Sequence, residues 1–513
     1  MTDKEQVIYR FSESPIWEMQ RSYYEDQGLK AWLSEEVPQY ITNNPMIATS
    51  YAEIIFGFLQ DRARLGHTTE PVIILELGAG SGRLAFHVLK ELCELRDEAV
   101  VIQLPPFCYC MSDFALKNIT FWQQHRSLKP FVDQGILDFA HFDATHDTEL
   151  TLTETGTIIR RGDLQQPLLV IANYFFDSIP QELIYVGDGK IHECKISLQY
   201  PDEVSELSPS ELLERVIPEY HYLRADEYEQ ESYPYRDIIQ LYQHRLEDSH
   251  ILFPAMGLDC LERLGQLSQD GFLMLTADKG DHRIENWEFA EPPELIHHGS
   301  FSLTANYHAI QAYFEHKGAL TFFTPHHYKN LNVGCMLMLQ DPMCYTHSRL
   351  AYRRFVNRFG PDDFFTIKEW FEAHLDQMEL RQILSLWRLG RYDTELFIRS
   401  ADRMLNLLPT SDDEELADLQ AGIHLMWTGY YPMGEKHDLA VNCGMLLFEM
   451  DQYEASLEFF ERSQLDQAGA DVLYNMAICY DETGNEELVR DYVYQALAKD
   501  PHHEGALSLK STL

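Results

Sequence analysis

The sequence predicts an α/β protein: a mainly parallel β-sheet covered by helices on both faces, followed by an all-helical C-terminal region. Three observations predict it. Strand-like apolar runs alternate with helix-periodic segments from about residue 72 to 339, a glycine-rich turn joins the first such strand to the first such helix, and strand signals cease beyond about Gly360.

From Trp17 to Arg64 the pattern is helical and aromatic, with a break at Asn43–Pro45 before the apolar-periodic segment Ala48–Leu59, so residues 1–65 read as a helical preface or lid. Strand Val72–Leu77, helix Arg83–Leu95, strand Phe107–Met111, helix Ala115–His125 and strands Ile136–Phe142 and Leu168–Ala172 follow. After an insertion come helix Leu258–Leu267, strand Phe272–Thr276, helix Tyr307–His316 and strands Ala319–Phe323 and Val333–Leu339. Strands separated by helices need crossover connections and pair in parallel. The last two strands have only a short Pro/His/Asn-rich link, which predicts an antiparallel hairpin at one edge. Residues 66–345 thus form one α/β domain, interrupted at 199–250 by an acidic stretch rich in tyrosine, including Tyr220, Tyr222, Tyr228, Tyr233, Tyr235 and Tyr242. Such tyrosines serve a recognition surface or pack against the sheet, and the sequence leaves both open.

In the helical region, 360–513, two segments superimpose at an offset of 33 residues: Gly444 with Ala477, Ser456 with Val489, Phe460 with Val493, the second closing at Pro501. Small and large residues fall where a helix pair needs close approach, filling and a stop, and the pattern resembles tetratricopeptide repeats.

Composition narrows the function. Hydrophobic residues make up 45% and charged residues 24%, an ordinary globular balance that excludes collagenous and disordered classes. The net charge of −42 argues against a duplex-binding surface and favours basic partners; residues 360–513 hold 11 Lys/Arg against 30 Asp/Glu. Nine cysteines without a CxxC pair fit a reducing compartment, Met1–Gln20 lacks a signal-peptide apolar core, and no apolar run is long enough to cross a bilayer. A cytoplasmic protein, with a protein partner and neither nucleic acid nor membrane, is the expectation.

The chemistry is concentrated at strand ends. Glu76-Leu77-Gly78-Ala79-Gly80-Ser81-Gly82 joins a strand to a helix, where glycines let backbone approach a ligand and helix N–H groups face it, although a tight turn alone would need glycines too. A dinucleotide fingerprint would put its third glycine at Arg83, and no Walker GK[ST] follows. Asp113 ends the second strand and would also suit a helix cap for Ala115 onward. Asp143 follows the third strand, where a solvated loop carboxylate would look the same. Asn173-Tyr174-Phe175-Phe176-Asp177-Ser178-Ile179-Pro180 ends the fourth, with Glu182 just after. Ligands of open α/β sheets bind beyond these ends. The pairs His297-His298, His326-His327 and His502-His503 lack metal-chelating spacing and read as surface loops, and no GxSxG or HExxH motif supports a hydrolase.

The pattern E-x-G-x-G-x-G resembles the first motif of Rossmann-like S-adenosylmethionine-dependent methyltransferases. That resemblance implies S-adenosyl-L-methionine as cofactor, with Glu76, Gly78, Gly80 and Gly82 around its methionine end, Asp113 at the ribose hydroxyls and Asp143 near the adenine. The order of Glu76–Gly82, Asn173–Pro180, Met274–Gly280 and Ser302–Tyr307 is similar to the MidA-like methyltransferases, a family that includes a respiratory complex I assembly factor that dimethylates a protein arginine. The likeness covers roughly residues 15–340. It implies a methyltransferase acting on a protein side chain, an arginine-type nitrogen included, with Asp177, Asn173 and Tyr174 as catalytic candidates. Two positions depart from the family: Lys279 stands after Asp278 where an aromatic is usual, and Tyr174 replaces Glu after Asn173, a lost carboxylate for which Asp177 or Glu182 could compensate. A non-catalytic adaptor working through its helical region is the alternative from another class.

Overall fold

The computed structural model describes residues 7–33, 40–200, 207–298, 300–326, 331–434, 438–463 and 468–513. The chain divides into two compact units, Met1–Thr366 and Ile367–Leu513.

The first unit is built on strands β1 (Val72–Leu77), β2 (Phe107–Asp113), β3 (Leu137–His141), β4 (Leu168–Asn173), β9 (Gly271–Asp281), β10 (Leu320–Phe323) and β11 (Leu331–Leu339), with β5–β8 forming a separate sheet described below. The strand order is β10-β11-β9-β4-β1-β2-β3. The pairs from β3 through β9 are parallel, and β11 runs antiparallel to both β9 and β10, which is the expected edge hairpin. Every residue of β1 is buried, as a central parallel strand covered on both faces requires. The fold class read from the sequence, a Rossmann-like α/β sheet followed by helices, is the one observed. Chain direction across the sheet switches between β1 and β4, and the crevice beyond their carboxyl ends is the ligand position of such sheets.

Helices set the rim around that crevice. Helix α1 (Pro15–Gln27) lies in the preface, and α2 (Pro45–Arg64) begins where the sequence broke at Asn43–Pro45. Asn44 caps α2, its side chain accepting from the N–H groups of Met46 (2.9 Å) and Ile47 (3.2 Å), while Pro45 supplies a preset first-turn φ. Helix α3 (Arg83–Glu98) leaves the glycine loop, and α4 (Leu116–Gln124) follows β2.

The second sheet was less legible. Strands β5 (Glu182–Gly187), β6 (Lys190–Gln199), β7 (Ile217–Arg224) and β8 (Ser249–Phe253) pair antiparallel in the order β8-β5-β6-β7. It begins at Glu182, earlier than the insertion expected at 199. Its first hairpin turns on Asp188 (φ 51°) and Gly189 (φ 65°), the two left-handed residues of a tight two-residue turn, for which Asp-Gly was the available sequence signal. The tyrosine-rich stretch packs inward: Tyr228, Tyr235 and Tyr242 are buried, Tyr220 donates to the Pro293 carbonyl (2.6 Å), and Tyr222 stays 44% exposed.

In the second unit the segments related by 33 residues each fold as a helix pair, Leu439–Glu449 with Tyr453–Phe460 and Ala470–Glu482 with Glu486–Lys499. A methyl placed on Gly444 would lie 2.6 Å from the Phe460 ring, and Ser456 Oγ donates to the Gly444 carbonyl (2.8 Å), so small residues here serve close helix approach. No helix among the described residues is long and apolar enough to cross a membrane. All nine cysteines are free thiols.

Candidate functional site

A cavity of about 660 Å³ opens beyond the carboxyl ends of β1, β2, β3 and β4 and is roofed by α1 and by Trp32. Of the sequence-predicted residues, Glu76, Gly78, Gly80, Asp113, Asp143, Asn173, Tyr174 and Asp177 all line it. Gly82 does not: it stands immediately before α3 with φ 80° and shapes the helix start.

The glycine loop has left-handed backbone at Gly78 (φ 62°) and Gly80 (φ 53°). A Cβ on Gly80 would lie 2.8 Å from the Trp32 ring, so the roof closes onto bare backbone there, whereas a Cβ on Gly78 would meet nothing within 4 Å. The loop is tied down from outside as well, since Trp122 Nε1 donates to the Gly80 carbonyl (3.0 Å).

Asp113 holds this loop to β2. Its Oδ2 accepts from Gly80 N (3.2 Å) and Asn118 Nδ2 (3.0 Å), and its Oδ1 accepts from Ala115 N (2.9 Å), so the helix-entry role and the cavity position coexist. Its acceptor positions are therefore filled largely from within the protein. Burial pushes its pKa up against the pull of those hydrogen bonds. Asn118, which sequence reasoning passed over, also lines the cavity. Its Oδ1 is buried and finds no hydrogen-bond partner among the described residues.

Glu76 accepts from Tyr109 Oη (2.9 Å); burial, with the charge of Asp113 adding to it, pushes its carboxyl up to about 8. Asp143 behaves oppositely. Burial raises it, but hydrogen bonds from Thr145 N (2.9 Å) and Oγ1 (2.6 Å) and the ion pair with Arg21 of α1 outweigh that and hold it below the usual carboxylate range.

At the end of β4, Asn173 Oδ1 accepts from Tyr51 Oη (2.6 Å) and its Nδ2 donates to the Thr42 carbonyl (3.2 Å), which fixes the amide between α2 and the segment before it. Tyr174 is left-handed (φ 47°), a strained position for a residue with a side chain, stabilised by Tyr174 N donating to the Ala277 carbonyl (3.0 Å). Asp177 is only 4% exposed, and its Oδ1 has no hydrogen-bond partner among the described residues. Burial pushes it up to about 7 against a hydrogen bond from Asp278 and the nearby charge of Lys279. Asp278, fully buried on β9, has its pKa raised by burial and by Asp177. The sequence marked Asp278 and Lys279 only as part of a family pattern, yet Lys279 lines the cavity and Asp278 Oδ2 accepts from Asp177 N (3.2 Å).

Other candidates fall away. Glu182 opens β5, accepts from Tyr233 Oη (2.8 Å) and does not line the cavity, so it does not replace the missing carboxylate at position 174. His326 pairs with Asp363 (3.0 Å); His503 pairs with Asp471 (3.0 Å) and caps the helix Glu504–Lys510; His297 and His298 lie on a short strand; His327 is outside the described residues. No group of three or more His, Cys, Asp or Glu able to hold a metal occurs among the described residues.

No family model matches the chain. A curated relative, the Drosophila melanogaster protein arginine methyltransferase NDUFAF7 homolog, mitochondrial, is 25% identical over 189 residues, 34% of this chain and 38% of that protein, so the chain spans well under half the length of that relative. Two crystal structures of a Burkholderia thailandensis protein, one native and one bound to S-adenosyl-homocysteine, align with 12% identity and a TM-score of 0.41 over 66% of this chain and 90% of theirs.

Proposed function

We propose that the chain is an S-adenosyl-L-methionine-dependent methyltransferase whose substrate is a protein side chain. The observation that carries this reading is the cavity at the switch point, bounded by a glycine loop after β1, a carboxylate ending β2 and an unsatisfied acid after β4. Its ionisable lining is acid-rich, with Glu18, Glu76, Asp113, Asp143 and Asp177 against Arg21 and Lys279. Asn118, whose Oδ1 finds no hydrogen-bond partner among the described residues, stands beside Asp113 as the acceptor for a ribose hydroxyl. Glu76 and Gly78 would hold the methionine end, and Asp143 the adenine side.

The cofactor supplies an electrophilic methyl whose transfer leaves a thioether. The protein's part is to align the nucleophile and take its proton. Asp177 is the proton acceptor, and Asn173 and Tyr174 shape the pocket in front of it. The acidic 360–513 region, tetratricopeptide-like in its spacing, recruits a basic protein segment, and a cytoplasmic setting suits nine free thiols. Calorimetric titration with S-adenosylmethionine and, separately, NAD tests the reading: binding of the first and not the second is expected, and binding of neither would leave the adaptor.

A further inference from the structure

We infer that β7 is an open sheet edge that takes an extended, basic protein segment as an added antiparallel strand. The surface is separate from the cavity, and the inference holds whether or not the chain transfers a methyl group. β7 ends the order β8-β5-β6-β7 and, among the described residues, pairs only with β6, from Ile217 opposite Gln199 to Arg224 opposite His192. The hydrogen bonds of β6 fix which way β7 faces. Ile196 N donates to the Tyr9 carbonyl (2.9 Å) and Tyr9 N donates to the Ile196 carbonyl (2.8 Å), so both main-chain groups of Ile196 are turned away from β7. Tyr220 stands opposite Ile196, and in an antiparallel ladder the residue opposite such a non-bonded position points its own N–H and C=O outward. The phase repeats every second residue. Tyr220, Tyr222 and Arg224 therefore present both groups outward, and Pro218, which has no N–H, presents its carbonyl. None of these outward groups has a hydrogen-bond partner among the described residues.

The two faces of this edge call for different side chains. Ile217 (62% exposed) and Leu223 (47% exposed) stand on one face, apolar groups that an edge strand ordinarily avoids. Tyr220 and Tyr222 stand on the other, their hydroxyls bonded to the Pro293 carbonyl (2.6 Å) and to His250 Nε2 (2.9 Å), and the exposed carboxylates Glu294 and Glu291 lie near them. The surroundings are acidic: residues 207–232 hold seven Asp/Glu against Arg215 and Arg224, and Arg224 is already paired with Asp226 (2.7 Å). A segment with Lys or Arg at alternate positions and apolar residues between them fits both faces. In antiparallel addition the residues that bond to Tyr220 and Tyr222 put their side chains on the tyrosine face, beside the carboxylates, and their neighbours meet Ile217 and Leu223. A second copy of the chain is the poorer occupant, because two molecules at −42 repel and each β7 would meet acid-rich surroundings like its own.

Fluorescence anisotropy of the full chain tests the edge with a labelled peptide that alternates lysine and valine, has lysine at both ends and matches β7 in length from Pro218 to Arg224. Saturable binding is expected, and replacing each lysine by glutamate should weaken it about tenfold or more. Methylating the backbone nitrogens of the lysines removes the N–H groups that face the edge and should weaken binding about tenfold or more, while methylating those of the valines, which face water, should leave it within about twofold. Tyr222→Pro removes an outward N–H, keeps the bonds of β7 to β6 and should also cost about tenfold; Pro218 shows that this edge accepts a proline. Absence of binding, equal binding of the glutamate peptide, or any other response to the two methylated sets overturns the inference, and the methylated sets decide it should Tyr222→Pro not fold. Binding that a folded Tyr222→Pro leaves unchanged places the peptide elsewhere on the acidic surface and overturns it too. Sedimentation of the chain alone covers the second copy: a dimer that Tyr222→Pro dissolves would show the edge filled by another molecule of this chain and would overturn the basic segment as its occupant.

Discussion

Asp113 and Asp177 stand on the same rim of the same sheet, and the protein treats them in opposite ways. Asp113 is filled with donors from the glycine loop, the next helix and Asn118. Asp177 is as deeply buried but keeps one oxygen unpartnered, with an acid as its neighbour. A carboxylate saturated by its own protein is an anchor that fixes a loop and has little capacity left for a ligand. One whose buried oxygen is empty is costly to keep, because an unsatisfied polar atom loses its hydration without compensation, and such an atom finds its partner in a ligand. In the methyltransferase reading, Asp113 holds the binding loop in shape and Asp177 is the group left for chemistry.

The largest expected effect breaks the anchored side. Gly80→Val places a branched side chain at φ 53° and 2.8 Å from Trp32, while Gly80 N is also one of the donors to Asp113. The strained conformation alone costs on the order of 1–3 kcal/mol. We expect loss of S-adenosylmethionine binding by calorimetry, with the fold retained by circular dichroism. Unchanged affinity would move the site elsewhere.

Next comes the reactive side. Asp177→Asn keeps the shape and removes the proton acceptor, so turnover should fall by about 10²–10⁴ while cofactor affinity stays within about threefold. If Asp177 only shaped the turn before Pro180, stability would fall and the rate would not.

How far the sequence reached follows the same division. Most strands of the main sheet, the glycine loop, Asp113 and Asn173–Asp177 were legible because each is a local event: an apolar run that stops, followed by residues able to turn or to bind. The contact of Asp278 with Asp177 was not, because it comes from the pairing of β4 with β9, a contact between distant segments that no local pattern encodes. Asn118 was hidden on a helix whose periodicity says only that one face is buried. The second sheet was missed at Glu182–Gln199 because no cluster of loop residues announced it, and its Asp188-Gly189 turn is a short signal inside a mixed sequence.

A smaller effect appears in the pH dependence of stability. Asp177 is raised in the folded state to about 7, above the roughly 4 of an unfolded aspartate. The native state therefore holds the proton more tightly. The stability this contributes is fully present below about pH 4 and is lost as pH rises through about 7. Wild type should lose more melting temperature than Asp177→Asn between pH 5 and pH 8, by a few degrees, in a calorimetric scan. Parallel curves would mean that Asp177 titrates as an exposed carboxylate does.

The smallest expected effect tests a third carboxylate that lies between the two extremes. Asp143 is held like Asp113 by several donors, but one of them, Arg21, is a side chain on α1, and its guanidinium also lies 4.6 Å from the Phe114 ring centroid. Arg21 is 38% exposed, so the pair is partly screened and is worth no more than about 1 kcal/mol. Arg21→Ala leaves Asp143 its two hydrogen bonds from Thr145, and cofactor affinity should weaken by only about two- to fivefold, through a roof helix less firmly tied to β3. Asp143 is lowered in the folded state, so the stability lent by Arg21 is present above the ordinary aspartate range and disappears as pH falls through the depressed value. The difference in melting temperature between wild type and Arg21→Ala should accordingly shrink in acid, and shrink again as ionic strength rises beyond about 0.15 M. A loss of binding as large as that of Gly80→Val, insensitive to salt, would show instead that Arg21 touches the ligand itself and that the roof belongs to the reactive side of the rim.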